Sequence, residues 1–254
     1  MKAWIATGLI ACSLAGYGQT KIEKNIPVRA GQKLELNMEY PELIQLRTWD
    51  GKDVVIKGDV SINNGEHDSA FDLHITNADK VITVTSRLKD KDKIPKRLMI
   101  KKGDHEYHFK AADTRDPEVQ KFLKENGGEY TYMSNGIIQE IKLEVLVPKD
   151  MECYIEAKFG IVEVVGFQAP LTVNAIHGGV DATISPTVIG ELTARTRFGE
   201  ILSNLDIKFD GPGMPDPRPD ARGDNWTEVH ARTGSGPRYA LESKFGKVYL
   251  RKPR

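Results

Sequence analysis

The chain of 254 residues carries 36 basic and 36 acidic side chains, which excludes the basic excess of a typical nucleic-acid-binding domain. Its length suffices for one large β domain or two small ones, each with a real core. With 2 cysteines it is no disulfide-stapled scaffold.

The first residues read MKAWIATGLIACSLAGYGQT. Lys2 precedes an apolar run from Ala3 to Leu14 and then small residues, the order of a Sec signal peptide, with cleavage expected between Gly18 and Gln19. Its removal leaves 35 basic against 36 acidic residues, because residues 1–18 contain Lys2 and no acid. Leu9-Ile10-Ala11-Cys12 also resembles a bacterial lipobox, an alternative that places a lipid on Cys12. The stretch is too short for a transmembrane helix, and no later segment is apolar enough to span a bilayer. The expected product is exported: periplasmic, on the outer surface, or secreted. Cys153, beside Tyr154 and Ile155 at a strand start, is expected to be buried and inert.

Residues 19–88 form an N-terminal β region. KLELNMEY, ELIQLRTW, DVVIKGDVSI, AFDLHIT and KVITVTSRL alternate with period two and are rich in Val, Ile, Leu and Thr, which predicts short strands. Asp50-Gly51 and Asn63-Asn64-Gly65 supply turns.

Residues 89–136 read as an insertion with one helix. KDKDKIPKRLMIKKGD predicts a charged, exposed hairpin or loop, and DPEVQKFLKENGG predicts the helix. Asp116 caps it, Pro117 takes the first turn, Val119, Phe122 and Leu123 share an apolar face, and Gly127 ends it. Residues 137–254 are a repeat region that opens with the strand GIIQEIKLEVLVP. A Pro/Gly-rich loop at 206–237 interrupts it, densest at FDGPGMPDPRPDARGDNW.

The repeat centres on Gly160, Gly178, Gly199 and Gly246, spaced 18, 21 and 47 residues apart, the last gap lengthened by the loop. Five before each glycine stand Ile155, Val173, Ala194 and Leu241, and three before stand Ala157, Ala175, Thr196 and Ser243. One before stand Phe159, His177, Phe198 and Phe245. Two after stand Val162, Val180, Ile201 and Val248, and four after stand Val164, Ala182, Ser203 and Leu250. Period two assigns all of these positions to the core, including the aromatic column, whose rings are expected to stack from rung to rung. The glycine is expected to supply the bend between the two arms. Units of about twenty residues predict an all-β fold of stacked rungs, a β-solenoid, with the short helical insertion beside it. LELNMEYPELIQL is a degenerate further copy, with Tyr40-Pro41 in place of Phe-Gly and its alternation slipped by one after Pro41.

With its N-terminal leader, LEVLVPKDMECYIEAKFGIVEVVGF, LTVNAIHGGVDATI, ELTARTRFGEILSNL and LELNMEYPELIQLRTWDGKDVVIKG, the chain resembles a family of exported bacterial adhesin-like (auto-transporter-adhesin-like) β-solenoid proteins, a domain of unknown function. The resemblance covers roughly residues 22–62 and 137–252. It implies a secreted or envelope-associated, non-catalytic protein presenting a surface to a protein or glycan partner. Two alternatives stand beside it: a polysaccharide-acting enzyme on a parallel β-helix, and a periplasmic accessory or sensory protein.

The outward position two before the glycine holds Lys158, Ile176, Arg197 and Lys244. Lys158, Arg197 and Lys244 are therefore the candidate binding residues, a basic strip for an acidic glycan or anionic headgroup; the alternative is an ordinary solvated β face, helped by Glu156 and Glu242. No catalytic residue, metal site or cofactor is expected. No Gly-x-Ser-x-Gly elbow, P-loop or dinucleotide fingerprint occurs, and the third position after glycine runs Glu163, Asp181, Leu202, Tyr249, so the acidic column lapses. His105-Glu106-Tyr107-His108 lacks zinc-protease spacing, His177 has no second ligand near it in its rung, and Asp210, Asp216, Asp220 and Asp224 lack EF-hand spacing. Arg222-Gly223-Asp224 matches an integrin-recognition tripeptide by chance composition.

Overall fold

A computed structural model describes residues 19–210 and 226–253; the segment read as a signal peptide, Cys12, Asp216, Asp220 and the Arg222-Gly223-Asp224 tripeptide lie outside the described residues. The alternating N-terminal segments form β1 (Thr20–Ile26), β2 (Lys33–Met38), β3 (Leu43–Trp49), β4 (Val54–Ile62), β5 (Phe71–Asn77) and β6 (Val81–Leu88). Turns fall where short polar residues and glycine tolerate a left-handed backbone, as at Asn63 (φ 50°), Asn64 (φ 59°) and Gly65 (φ 91°).

The charged segment that follows is a hairpin, β7 (Arg97–Lys102) and β8 (His105–Phe109), joined by β9 (Tyr132–Gly136) in a three-stranded antiparallel sheet. Helix α1 (Pro117–Asn126) packs there and places Val119, Phe122 and Leu123 with Leu98, Ile100 and Phe109 in a separate small core. The Asp116 carboxylate accepts from Glu118 N at 2.9 Å, Pro117 occupies the first turn, and Gly127 (φ 73°) ends the helix. Each of these capping residues has the role read from the sequence.

The rest of the chain adds β10 (Gln139–Pro148) and four strand pairs: β11 (Cys153–Ala157) with β12 (Ile161–Val165), β13 (Leu171–Ala175) with β14 (Val180–Thr183), β15 (Glu191–Thr196) with β16 (Ile201–Ser203), and, after β17 (Thr227–Arg232), β18 (Arg238–Ser243) with β19 (Val248–Arg251). Each pair gives one strand to each of two eight-stranded sheets, ordered β1-β4-β10-β3-β12-β14-β19-β16 and β17-β15-β18-β13-β11-β2-β6-β5. The pairs stack in parallel with equivalent residues in register, Ile155 on Val173 on Leu241 and Val162 on Val180 on Val248. The degenerate copy is a rung too, since Ile155 pairs with Leu36 and Val162 with Ile44. Its one-residue slip is present: Ala157 aligns with Met38 but Ile161 with Leu43.

The fold is mostly β, in two mixed sheets that do not close. Antiparallel strands β1, β4 and β10 at one end, and β5 and β17 at the margins of the second sheet, break the uniform winding that the repeat spacing suggested. The rungs also do not stack in chain order. β18 and β19, the last in sequence, lie between β13/β14 and β15/β16. β16 is thereby left at a sheet margin, which explains why Ser203, aligned with buried Val164, Ala182 and Leu250, is exposed.

Candidate functional site

Five and three residues before each glycine, the side chains are buried as their alternation requires: Ile155, Val173, Ala194, Ala157, Ala175, Thr196 and Ser243 are all sealed from water. The aromatic column is not. Phe159, Phe198 and Phe245 are 43%, 56% and 45% exposed, and His177 is exposed with them. This corrects the interior placement of the aromatic column. Period two holds only within a strand, and the first strand of each rung ends two residues before the aromatic. The next residues form a corner between the sheets, and there the ring turns outward.

The corners are laddered as tightly as the strands. His177 N donates to Lys158 O at 2.9 Å, Phe245 N to Ile176 O at 3.0 Å and Phe198 N to Lys244 O at 3.0 Å. This spacing sets the rings in a continuous stack, Phe159 to His177 (5.4 Å between centroids), His177 to Phe245 (5.0 Å) and Phe245 to Phe198 (5.2 Å), with interplanar angles of 20°, 4° and 9°. The order is that of the rungs in space, so Phe245 stands between His177 and Phe198.

The glycines make this approach possible. A Cβ on Gly178 would lie 1.5 Å from Gly160 O, one on Gly246 2.0 Å from Gly178 O, and one on Gly199 1.9 Å from Gly246 O. All four column glycines lie in the bend between the paired strands, as expected; only Gly160 has a left-handed backbone (φ 78°), and at the other three close backbone stacking is what excludes a side chain. Beneath them, Ser243 Oγ donates to Gly178 O at 2.8 Å and accepts from Gly246 N at 2.9 Å, while Thr196 Oγ1 donates to Gly246 O at 2.9 Å. The small buried residue three before the glycine thus satisfies corner backbone groups in those two rungs.

The three predicted binding residues flank this ridge. Lys158 Nζ lies 5.6 Å from the Phe159 centroid, Lys244 Nζ 5.3 Å from Phe245, and the Arg197 guanidinium carbon 5.1 Å from Phe198. Lys158 also donates to Glu39 at 2.8 Å, and that carboxylate raises its pKa above the ordinary lysine value. On the other flank Lys247 pairs with Glu200 at 2.8 Å, which holds the Glu200 carboxyl below its usual range. The sequence identified the cations but not the surface that unites them with the rings.

Among solved structures, the chain is similar to one described as a "putative cell adhesion protein" from Clostridium sporogenes, at 11% identity and a TM-score of 0.49, over 92% of this chain and 100% of that one. No protein-family model and no curated protein matches the chain.

The remaining candidates fall elsewhere. Among the described residues no group of three or more His, Cys, Asp or Glu could hold a metal ion. His105 and His108 lie on β8 in the small sheet, with His108 Nε2 3.9 Å from Glu106. Glu163 accepts from Gln45 at 2.8 Å and Asp181 from Arg251 at 2.6 Å, and Tyr249 and Leu202 continue their column. Cys153 is buried, and burial pushes its thiol well above the ordinary range. One array escaped sequence reasoning: Thr193 Oγ1 lies 3.1 Å from His230 Nδ1, whose Nε2 is 2.5 Å from Glu228 Oε1. Its hydroxyl sits on β15, between β17 and β18, so that strand's N–H groups are committed to ladders and offer no oxyanion hole. Arg195 meanwhile packs over Trp226 at 4.9 Å and pairs with Glu242.

Proposed function

We propose that the protein is a non-catalytic, adhesin-like protein of the cell envelope or exterior, and that the aromatic and basic corner is the surface it presents to a protein or glycan partner. The observation carrying this reading is the exposed stack of Phe159, His177, Phe245 and Phe198, with Lys158, Lys244 and Arg197 beside it. Contiguous exposed aromatic surface edged by charge is a mark of interaction sites. The in-register parallel rungs support reading the core as a β-solenoid of the adhesin-like type. The order of the N-terminal residues supports export, and no helix among the described residues is long and apolar enough to cross a membrane.

The test uses the native host. Antibody labelling of intact cells checks surface exposure, and attachment to a substratum is compared between wild type and the double variant Phe198→Ala/Phe245→Ala. Attachment should fall in the variant at unchanged protein level. Unchanged attachment, or product released from polysaccharides by the purified protein, would refute the proposal.

A further inference from the structure

The corner ladder ends in a cleft that it does not fill. Inside the stack, His177 and Phe245 are covered on both faces by neighbouring rings, so only their edges meet solvent. A ring edge is the positive end of the aromatic quadrupole, and with the adjacent cations it attracts anions more than it stacks neutral sugars. Phe159 differs. One face stacks on His177, and among the described residues no ring stacks on the other, although Tyr40 holds the matching position in the neighbouring rung.

The cleft of about 740 Å³ opens there, with Tyr40, Phe159, Lys91, Asp92, Lys96 and Gln139 in its lining. That volume suits a small ligand, whose pockets span roughly 300–1,000 Å³. Lys91 Nζ stands 5.3 Å from the Tyr40 centroid, and among the described residues neither Lys91 nor Lys96 forms an ion pair. The nearby Lys93 and Lys158 are matched by Asp90 at 3.0 Å and Glu39 at 2.8 Å, leaving Lys91 and Lys96 against Asp92. Gln139 Nε2 is turned to Tyr40 O at 3.4 Å, and its oxygen remains as an acceptor for a hydroxyl.

We propose that this cleft is a subsite for an acidic sugar residue of an anionic polysaccharide whose chain continues along the corner. The proposal rests on the reading of the corner as a binding surface. The sugar ring lies against the face of Phe159 turned from His177, beside the Lys158 ammonium, its carboxylate meets Lys91 and Lys96, and Gln139 accepts from a hydroxyl. Single-file geometry selects a polymer over a membrane: rings repeat every 5.0–5.4 Å along one line, and the cations follow that line, skipping the Ile176 and His177 rung.

Purified mature chain (residues 19–254) is run through native gels containing polygalacturonate or neutral dextran and sedimented with phosphatidylglycerol vesicles. The variants are Lys91→Gln/Lys96→Gln, at two exposed positions that leave the core intact, and Phe198→Ala at the far end of the ladder; circular dichroism confirms folding. Polygalacturonate should retard the protein and dextran should not, with affinity falling roughly tenfold in the lysine variant and with added salt. Equal retardation by dextran overturns the acidic class, and vesicle binding without polymer binding overturns the polysaccharide. Polymer binding that is lost in Phe198→Ala but unchanged in Lys91→Gln/Lys96→Gln overturns the cleft and leaves the corner reading standing. Polymer binding unchanged in every variant overturns both.

Discussion

Replacing Gly178 by alanine tests whether close backbone stacking dictates glycine in the corners. The added Cβ would fall 1.5 Å from Gly160 O, whereas ordinary contact begins at 3.4 Å, so the two rungs must separate by about 2 Å. Two cross-rung bonds hold them together at this point, Ile176 N to Ala157 O at 2.8 Å and His177 N to Lys158 O at 2.9 Å. Breaking both forfeits about 0.5–1.5 kcal/mol each, and overpacking adds about 1–3 kcal/mol. A total of about 2–6 kcal/mol corresponds to a Tm lower by roughly 4–24 °C for a domain of this size. Differential scanning calorimetry reads the shift, with Gly128→Ala as the control because its Cβ would meet nothing within 4 Å. A Gly178→Ala protein melting within about 2 °C of wild type would refute the stacking argument.

Ser243→Ala, which removes the hydroxyl serving Gly178 O and Gly246 N, should cost about 1–3 kcal/mol in urea denaturation; an unchanged midpoint would show that water replaces it. Phe245 stacks on two rings and Phe198 on one, so Phe245→Ala should lose about twice the stacking energy of Phe198→Ala, at about 0.5–1.5 kcal/mol per pair; equal losses in a denaturant series contradict a continuous ladder. Deleting residues 238–254 removes the strands between β13/β14 and β15/β16, and hydrogen exchange should show the β15 amides that face β18 unprotected while those paired with β17 stay protected; native protection of the former would mean that β15 can close onto β13 directly. The Cys153 thiol, raised in pKa by burial, should resist Ellman's reagent at pH 8 until the protein is unfolded, and rapid native labelling would place it at the surface.

Strand identity was legible because each rung buries one face, which forces alternation onto residues such as Ile155, Ala157, Val162 and Val164. Helix α1 was legible because Asp116, Pro117 and Gly127 act within a few residues of themselves. The outward turn of Phe159 was not, because it is set by a corner outside the strand's period. Rung order was not legible either, since Leu241 suits a place beside Val173 or Ala194 equally well by pattern, and in the structure it pairs with both. The cleft depends on Lys91 and Lys96, which lie about fifty residues from Tyr40 and more than sixty from Phe159. Nothing local in their charged segment marks that meeting.

Tandem repeats usually lengthen by duplication, each new copy docking on the one before it. The placement of β18/β19 inside the stack closes that route on these strands, because a copy following Arg251 would find both edges of its template already paired. A further rung on that sheet would have to dock at the open β16 margin and not on its predecessor in the chain.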